Sequence, residues 1–257
     1  MLLTTAALCA AAFAAGFIDA IAGGGGLVQL PALLLLLPGV PIPTLLGTSK
    51  LSGFFGTASA AIDYARRRVE IRWHVIVPAA LASAAMSWIG AHSVSRLPRE
   101  AMRPMVLVLL LLVAGYTLLR RDFGAIRRLA RTPRTELLLA LAGSAAIGFY
   151  DGFFGPGTGS FLIFFLISTL GYDFLMAVAA AKVLNLGSNL TAIGYFAATD
   201  QMLWQTGLAM GVCNILGARI GTRLTVTRGV AFVRPLFLTM LGAAILRMSW
   251  DTWQLAR

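Results

Sequence analysis

Residues 16–50 read GFIDAIAGGGGLVQLPALLLLLPGVPIPTLLGTSK, and residues 148–182 read GFYDGFFGPGTGSFLIFFLISTLGYDFLMAVAAAK. Each stretch holds one acid near its start, a glycine cluster four residues later and one lysine at its end. Asp19 and Asp151 stand 132 residues apart, and so do Lys50 and Lys182 (151 − 19 and 182 − 50). Gly16, Phe17, Gly23 and Gly25 recur at the same offset as Gly148, Phe149, Gly155 and Gly157. These two lysines are the only ones in the chain. The pattern predicts two tandem repeats, each with one matched acid and one matched lysine.

Composition sets the solvent around them. The 257 residues are 58% hydrophobic and 12% charged, with a mean hydropathy of +0.83. Soluble domains are about one quarter charged. Several apolar runs reach the roughly 18 residues that mark a transmembrane helix. The expected fold is therefore an all-α polytopic (multi-pass) membrane protein with about eight hydrophobic segments, embedded in a lipid bilayer. The net charge of +11 does not call for nucleic acid. The arginines cluster between apolar runs, at 66–72 and 120–134, which is the pattern of positively charged loops on one membrane face. Cys9 and Cys213 both lie in apolar runs and give no metal spacing or disulfide framework. The apolar N-terminus lacks a basic leader region and continues past Asp19, so it reads as a retained first segment.

The first segment, Leu2 to about Leu37, would be about 54 Å long as one helix, against a hydrocarbon core of about 30 Å. Glycine is costly inside a helix, and Pro31 adds a second weak point. A helix that breaks at 23–26 and partly doubles back is expected. Leu137 to Leu170 is again overlong, with GPGTG at 155–159 as its break. The other expected segments are Thr44–Tyr64, Trp73–Val94, Pro104–Leu119, Asp173–Ala198, Leu203–Thr222 and Gly229–Trp250. This divides the chain into a first repeat (1–120), a basic connecting loop (121–136) and a second repeat (137–257). The loop after the first lysine segment carries four arginines, and its counterpart at 199–204 carries none. Equivalent loops of opposite charge character suggest that the halves insert in opposite senses.

An ionisable side chain inside a membrane needs a partner or a wet cavity. Lys182, Asn185 and Asn189 share one helical face, with Ser188 beside them. The matching positions near Lys50 hold Gly53 and Thr57. A cation among amide and hydroxyl donors suits an anion. Snorkelling is the bland alternative for Lys50, and helix–helix packing for the Asn and Ser residues. Asp19 and Asp151 read as ion-pair partners of the lysine of the same repeat, as helix-end caps, or as proton-coupling groups. The glycine clusters lack the lysine and the preceding strand of a phosphate loop. At a helix break their free amides could face an anion. The candidate substrate-binding set is thus Lys50, Lys182, Asn185, Ser188, Asn189, Gly23, Gly25, Gly155, Gly157 and Thr158. The half with GPGTG and two asparagines is expected to face the substrate more. His74 and His92 each lie near a segment boundary, and no catalytic or metal-ligating cluster is visible, so neither an enzyme nor a cofactor is expected.

GFIDAIAGGGG, GTSKLSGFFGT, GFYDGFFGPGTGS and AAAKVLNLGSN, in that order, resemble the TauE/SafE family of bacterial membrane permeases over essentially the whole chain. The resemblance implies a secondary transporter of the bacterial inner membrane that moves small sulfur-containing anions such as sulfite or organosulfonates. A non-transporting membrane partner or assembly subunit is the alternative. Import or export, the coupling ion and the oligomeric state do not follow from the sequence.

Overall fold

A computed structural model describes residues 2–98 and 132–228, with single positions 102, 105, 108, 109, 112 and 115 between them. The described residues form eight helices: α1 (Leu2–Ala22), α2 (Gly26–Leu36), α3 (Ile42–Arg66), α4 (Trp73–Ser95), α5 (Pro133–Phe153), α6 (Thr158–Leu170), α7 (Phe174–Ala198) and α8 (Trp204–Arg228). The expected segment Gly229–Trp250, and most of Pro104–Leu119, lie outside the described residues. Among the described residues, four helices are long and apolar enough to cross a membrane: Leu3–Ala22, Trp73–Ser95, Pro133–Phe153 and Phe174–Ala198. The described residues are all-helical, with the apolar spans of a membrane protein.

Both overlong segments break where the glycines stand. Gly23 has φ +75 and Gly155 φ +95, backbone that side-chain-bearing residues rarely adopt. After each break the chain turns back along the helix it has just left. A Cβ on Gly25 would lie 2.5 Å from the carbonyl oxygen of Ala15. In the second half, Tyr150 packs edge-on against Phe161, and Phe165 covers Gly143. The Tyr150 hydroxyl donates to the carbonyl of Pro156 at 2.6 Å and ties the turn down.

The remaining ends follow from local chemistry. Pro41 and Pro43 flank the first residue of α3, where a missing amide proton is harmless. Asp173 caps α7 by accepting from the Met176 amide at 2.9 Å. Thr132 caps α5 by accepting from the Thr135 amide, so this helix begins at Pro133, inside the stretch read from sequence as connecting loop. Glu136 there is not a loop residue. It is buried, pairs with Arg72 at 2.8 Å and accepts from the Tyr172 hydroxyl at 2.9 Å. That cluster fastens the loop after α3 to the start of α5 and the turn before α7.

Helix directions can be read from close backbone contacts. Gly148 meets Ser83 and Gly152 meets Ser87, so α5 runs parallel to α4. Thr191 donates to the carbonyl of Ala84 at 2.8 Å and Gly187 meets Ala80, so α7 is parallel to α4 as well. In the other group, Gly217 meets Phe13, Gly221 meets Phe17, Gly207 meets Leu51 and Gly211 meets Phe55, which sets α1, α3 and α8 parallel. The two groups oppose each other: Gly47, early in α3, lies against Phe196, late in α7. The closest partner of α4 is thus α5, and that of α8 is α1. Each group draws helices from both ends of the chain.

Small residues allow these approaches, as is usual where lipid supplies no hydrophobic drive between helices. A Cβ on Gly152 would come within 1.9 Å of the Ser87 carbonyl oxygen, whereas one on Gly53 would meet nothing within 4 Å. Gly152→Ala should therefore force α4 and α5 apart and destabilise the protein by about 1–3 kcal/mol or more. Gly53→Ala should leave stability within about 0.5 kcal/mol of wild type. Thermal unfolding of the two variants in detergent, side by side, checks the contrast.

Candidate functional site

The two breaks meet. Ser160, in the first turn of α6, donates its amide to the carbonyl of Gly23 at 3.2 Å and its hydroxyl to that of Ala22 at 2.7 Å. Gly26 packs on Pro156. The tips of both hairpins therefore touch in the interior, and the charged side chains gather beside them.

Each lysine pairs with the acid of the other half. Lys50 Nζ lies 2.5 Å from Asp151 Oδ1, and Lys182 Nζ lies 2.7 Å from Asp19 Oδ2. Pairing within a repeat, one of the sequence-based expectations, does not occur. The physical reason is the reversal at each break, which brings the end of each broken helix to the lysine helix of the opposite group. Each carboxylate also accepts from a hydroxyl of its own half: Asp19 from Thr57 at 3.3 Å, and Asp151 from Ser188 at 2.6 Å. Lys182 donates to the main-chain carbonyl of Asp19 as well. It thus places a cation at the negative C-terminal end of α1. Lys50 occupies the matching place at the end of α5, where a Cβ on Gly155 would lie 2.9 Å from its Nζ. Lys182 is 1% exposed, Asp151 2% and Lys50 7%.

A small cavity of about 60 Å3 opens between these groups. Among the residues proposed from sequence, Lys50, Asn185, Asn189, Asp19, Asp151, Gly23, Gly25 and Gly155 stand on its wall. Lys182, Ser188, Gly157 and Thr158 do not. Lys182 is buried behind Asp19. The Ser188 hydroxyl is engaged by Asp151. Gly157, at φ +84, caps α6, and the Thr158 hydroxyl closes the same turn on the carbonyl of Gly155 at 2.6 Å. The amides of Gly23 and Gly155 are engaged too, donating to Asp19 at 3.0 Å and Tyr150 at 3.2 Å. These two glycines shape the break and the wall, and their amide protons serve their own helix ends. The lysine facing the space, Lys50, belongs to the first half, and the two asparagines on the wall, Asn185 and Asn189, belong to the second.

Two polar residues of the wall escaped the sequence reading. Gln29 is 2% exposed in the otherwise apolar α2, and Asn214 is 2% exposed in α8. Asn214 Nδ2 donates to Gln29 Oε1 at 2.9 Å, and Gln29 Nε2 donates to the Ser49 carbonyl at 2.9 Å. An uncharged amide alone in an apolar run carries the same signal as Asp19, only weaker, and a buried amide still demands partners. Opposite them, Asn189 Nδ2 donates to Asn185 Oδ1 at 2.5 Å. Among the described residues no hydrogen bond uses Asn185 Nδ2. The wall thus offers two kinds of donor to a guest, the Lys50 ammonium and the Asn185 amide, with the other amides holding one another in place. Among the described residues no cluster of three or more His, Cys, Asp or Glu side chains could hold a metal ion.

Comparison with known proteins agrees with this picture. The family model for the sulfite exporter TauE/SafE matches residues 8–248. A probable membrane transporter protein, ORF9, of Sinorhizobium is 39% identical over 95% of this chain and 92% of its own. A probable membrane transporter protein of Haemophilus influenzae is 37% identical over 93% and 92%. YfcA of Escherichia coli K12, also a probable membrane transporter protein, is 34% identical over 94% and 88%. No solved structure matches the chain. With a match that spans residues 8–248, nearly the whole length, the chain belongs to the TauE/SafE family of membrane transporters.

Proposed function

We propose that this protein is a multi-pass secondary transporter of the bacterial inner membrane that carries small anions, sulfur oxyanions or organosulfonates above all. The observation that carries this reading is the Lys50 ammonium on the wall of a buried cavity, beside the Asn185 amide and between the tips of two broken helices. A sulfonate or sulfite presents several oxygens around one centre. It can accept from an ammonium and an amide at once, and charge-assisted hydrogen bonds of this kind are the strong ones. The family's description as a sulfite exporter points to the same substrate class.

The carrier consists of two inverted repeats, 1–120 and 137–257. Helix bounds support the repeat: α3 and α7 start at 42 and 174 and end at 66 and 198, again 132 apart (174 − 42 and 198 − 66). The opposed directions of α3 and α7 support the inversion. Inverted repeats with broken helices at their interface are the usual build of alternating-access carriers. Transport exposes the cavity first to one side and then to the other as one group of helices rocks on its opposite. Gly23 and Gly155 serve as hinges. Lys182 and Asp19 hold the end of α1 to α7, and Lys50 serves the substrate.

Lys50→Ala should reduce sulfite flux into proteoliposomes to background. Asn185→Ala, which leaves both ion pairs intact, should raise the half-saturating concentration about ten- to hundredfold, the worth of one hydrogen bond to a charged group. Full transport by Lys50→Ala would end this reading. The structural assignment of the other pair has its own test. Lys182→Ala leaves Asp19, 19% exposed on the cavity wall, without its ammonium and should cost up to about 3 kcal/mol, the low end for a buried pair. The double variant Lys182→Ala/Asp19→Asn removes that lone charge and should be more stable than Lys182→Ala alone. Unfolding midpoints of both singles and the double form a cycle that isolates the pair.

A further inference from the structure

The charges around the cavity sum to zero. Lys50, Lys182, Asp19 and Asp151 are two cations and two anions, all paired, and the described wall carries no other charge. An anion entering this site makes it net negative, in surroundings where an uncompensated charge is costly. Lys50 cannot serve the guest at full strength while Asp151 holds it at 2.5 Å. Both difficulties vanish if Asp151 takes a proton.

Resting on the anion-transport reading above, we propose that Asp151 binds one proton with each singly charged anion that enters, so that proton and anion occupy the site together and cross as a neutral pair. The steps balance. A proton from the aqueous side binds an Asp151 carboxylate oxygen, and the carboxyl becomes neutral. Lys50 keeps its charge and turns from Asp151 to the anion. The four side chains now sum to +1, and the guest restores zero. Ser188, which donates to Asp151 Oδ2 at 2.6 Å, remains beside the neutral carboxyl. When the anion leaves, Lys50 returns and the proton departs on the same side.

Asp151 is better placed for this than Asp19. Both stand on the wall, but the partner of Asp19 is buried off it and also holds the main-chain end of α1. The charged or titratable side chains around Asp151 are Lys50 from α3, Asp19 from α1 and Tyr150 on its own helix. From α7 it is approached by the hydroxyl of Ser188, whose main-chain carbonyl in turn accepts from Ser87 of α4. The described part of α6 has no titratable side chain, and that of α2 presents the amide of Gln29. The one other carboxylate on the described wall, Asp19, is held by Lys182 and the Thr57 hydroxyl.

Methanesulfonate is the probe, because it remains a monoanion at every working pH and cannot carry the proton itself. The full chain is reconstituted in liposomes clamped at zero voltage with potassium and valinomycin. A pH difference should drive accumulation up to about tenfold per pH unit, with one proton taken up per methanesulfonate, read by an internal pH dye and labelled anion. Binding to the purified protein should weaken about tenfold per pH unit once Asp151 has lost its proton, the slope of one linked proton. Asp151→Asn fixes the neutral state and should remove both the pH-gradient response and the slope of binding. Wild-type flux that ignores the pH gradient and follows imposed voltage overturns the proposal. An Asp151→Asn variant that still moves one proton per anion overturns the assignment to Asp151. Should that variant fail to fold, the wild-type proton-to-anion ratio still decides. If the wild type neither moves nor binds methanesulfonate or sulfite, the anion reading itself is overturned.

Discussion

Every other feature of the interior depends on the crossed ion pairs. A lysine inside a bilayer is tolerated only with a partner, and here the partner comes from the other half of the chain: Asp151 for Lys50 and Asp19 for Lys182. Neither half can bury its own lysine alone. The pairs therefore do more than add attraction, since they make each half's insertion incomplete until the other is in place. The exchanged packing of α4 on α5 and of α8 on α1 has the same consequence at the level of whole helices. The glycines that line those contacts make the exchange close enough for backbone to meet backbone.

The breaks explain how the acids reach the lysines. An unbroken helix of the length the sequence offers would carry its C-terminal end beyond the bilayer core. Left-handed backbone at Gly23 and Gly155 ends α1 and α5 inside the bundle and sends the chain back. A helix end inside protein leaves carbonyl groups without intrahelical partners, and these attract cations. Lys182 answers this need at α1, and Lys50 stands at the matching place at α5. Broken helix and buried lysine are thus two parts of one solution, which is why they recur together at one offset. The tips then satisfy each other, with Ser160 donating to Ala22 and Gly23.

Much of this was legible in the sequence. Composition gives the membrane class, and the repeated marks give the breaks and the four charged residues. Segment bounds read from apolar runs fall close to the helices, as at Trp73–Ser95 and Phe174–Ala198. The start of α5 was misjudged because arginines near 121–134 and Glu136 read as solvated loop, whereas Arg72 brings a distant countercharge to Glu136. Pairing across the halves was also out of reach. Each acid precedes its own lysine by 31 residues (50 − 19 and 182 − 151), and only three-dimensional reversal makes the farther lysine the nearer one. The same holds for Gln29 and Asn214, 185 residues apart yet 2.9 Å from nitrogen to oxygen.

The two lysine helices, α3 and α7, are not fully alike, and the difference falls at the cavity. Position 53 in the first half is glycine, and a Cβ there would meet nothing within 4 Å. Position 185, its counterpart, is an asparagine that faces the same space. One half leaves room one turn beyond its lysine, and the other fills the matching room with an amide. Lys50 consequently borders empty space, while Lys182 is enclosed by Asp19 and the end of α1. A carrier built from two equal halves would offer two equal lysines and no preference between them. Gly53 against Asn185 leaves one ammonium, that of Lys50, on the cavity wall beside a neutral amide, while the second lysine holds the end of α1.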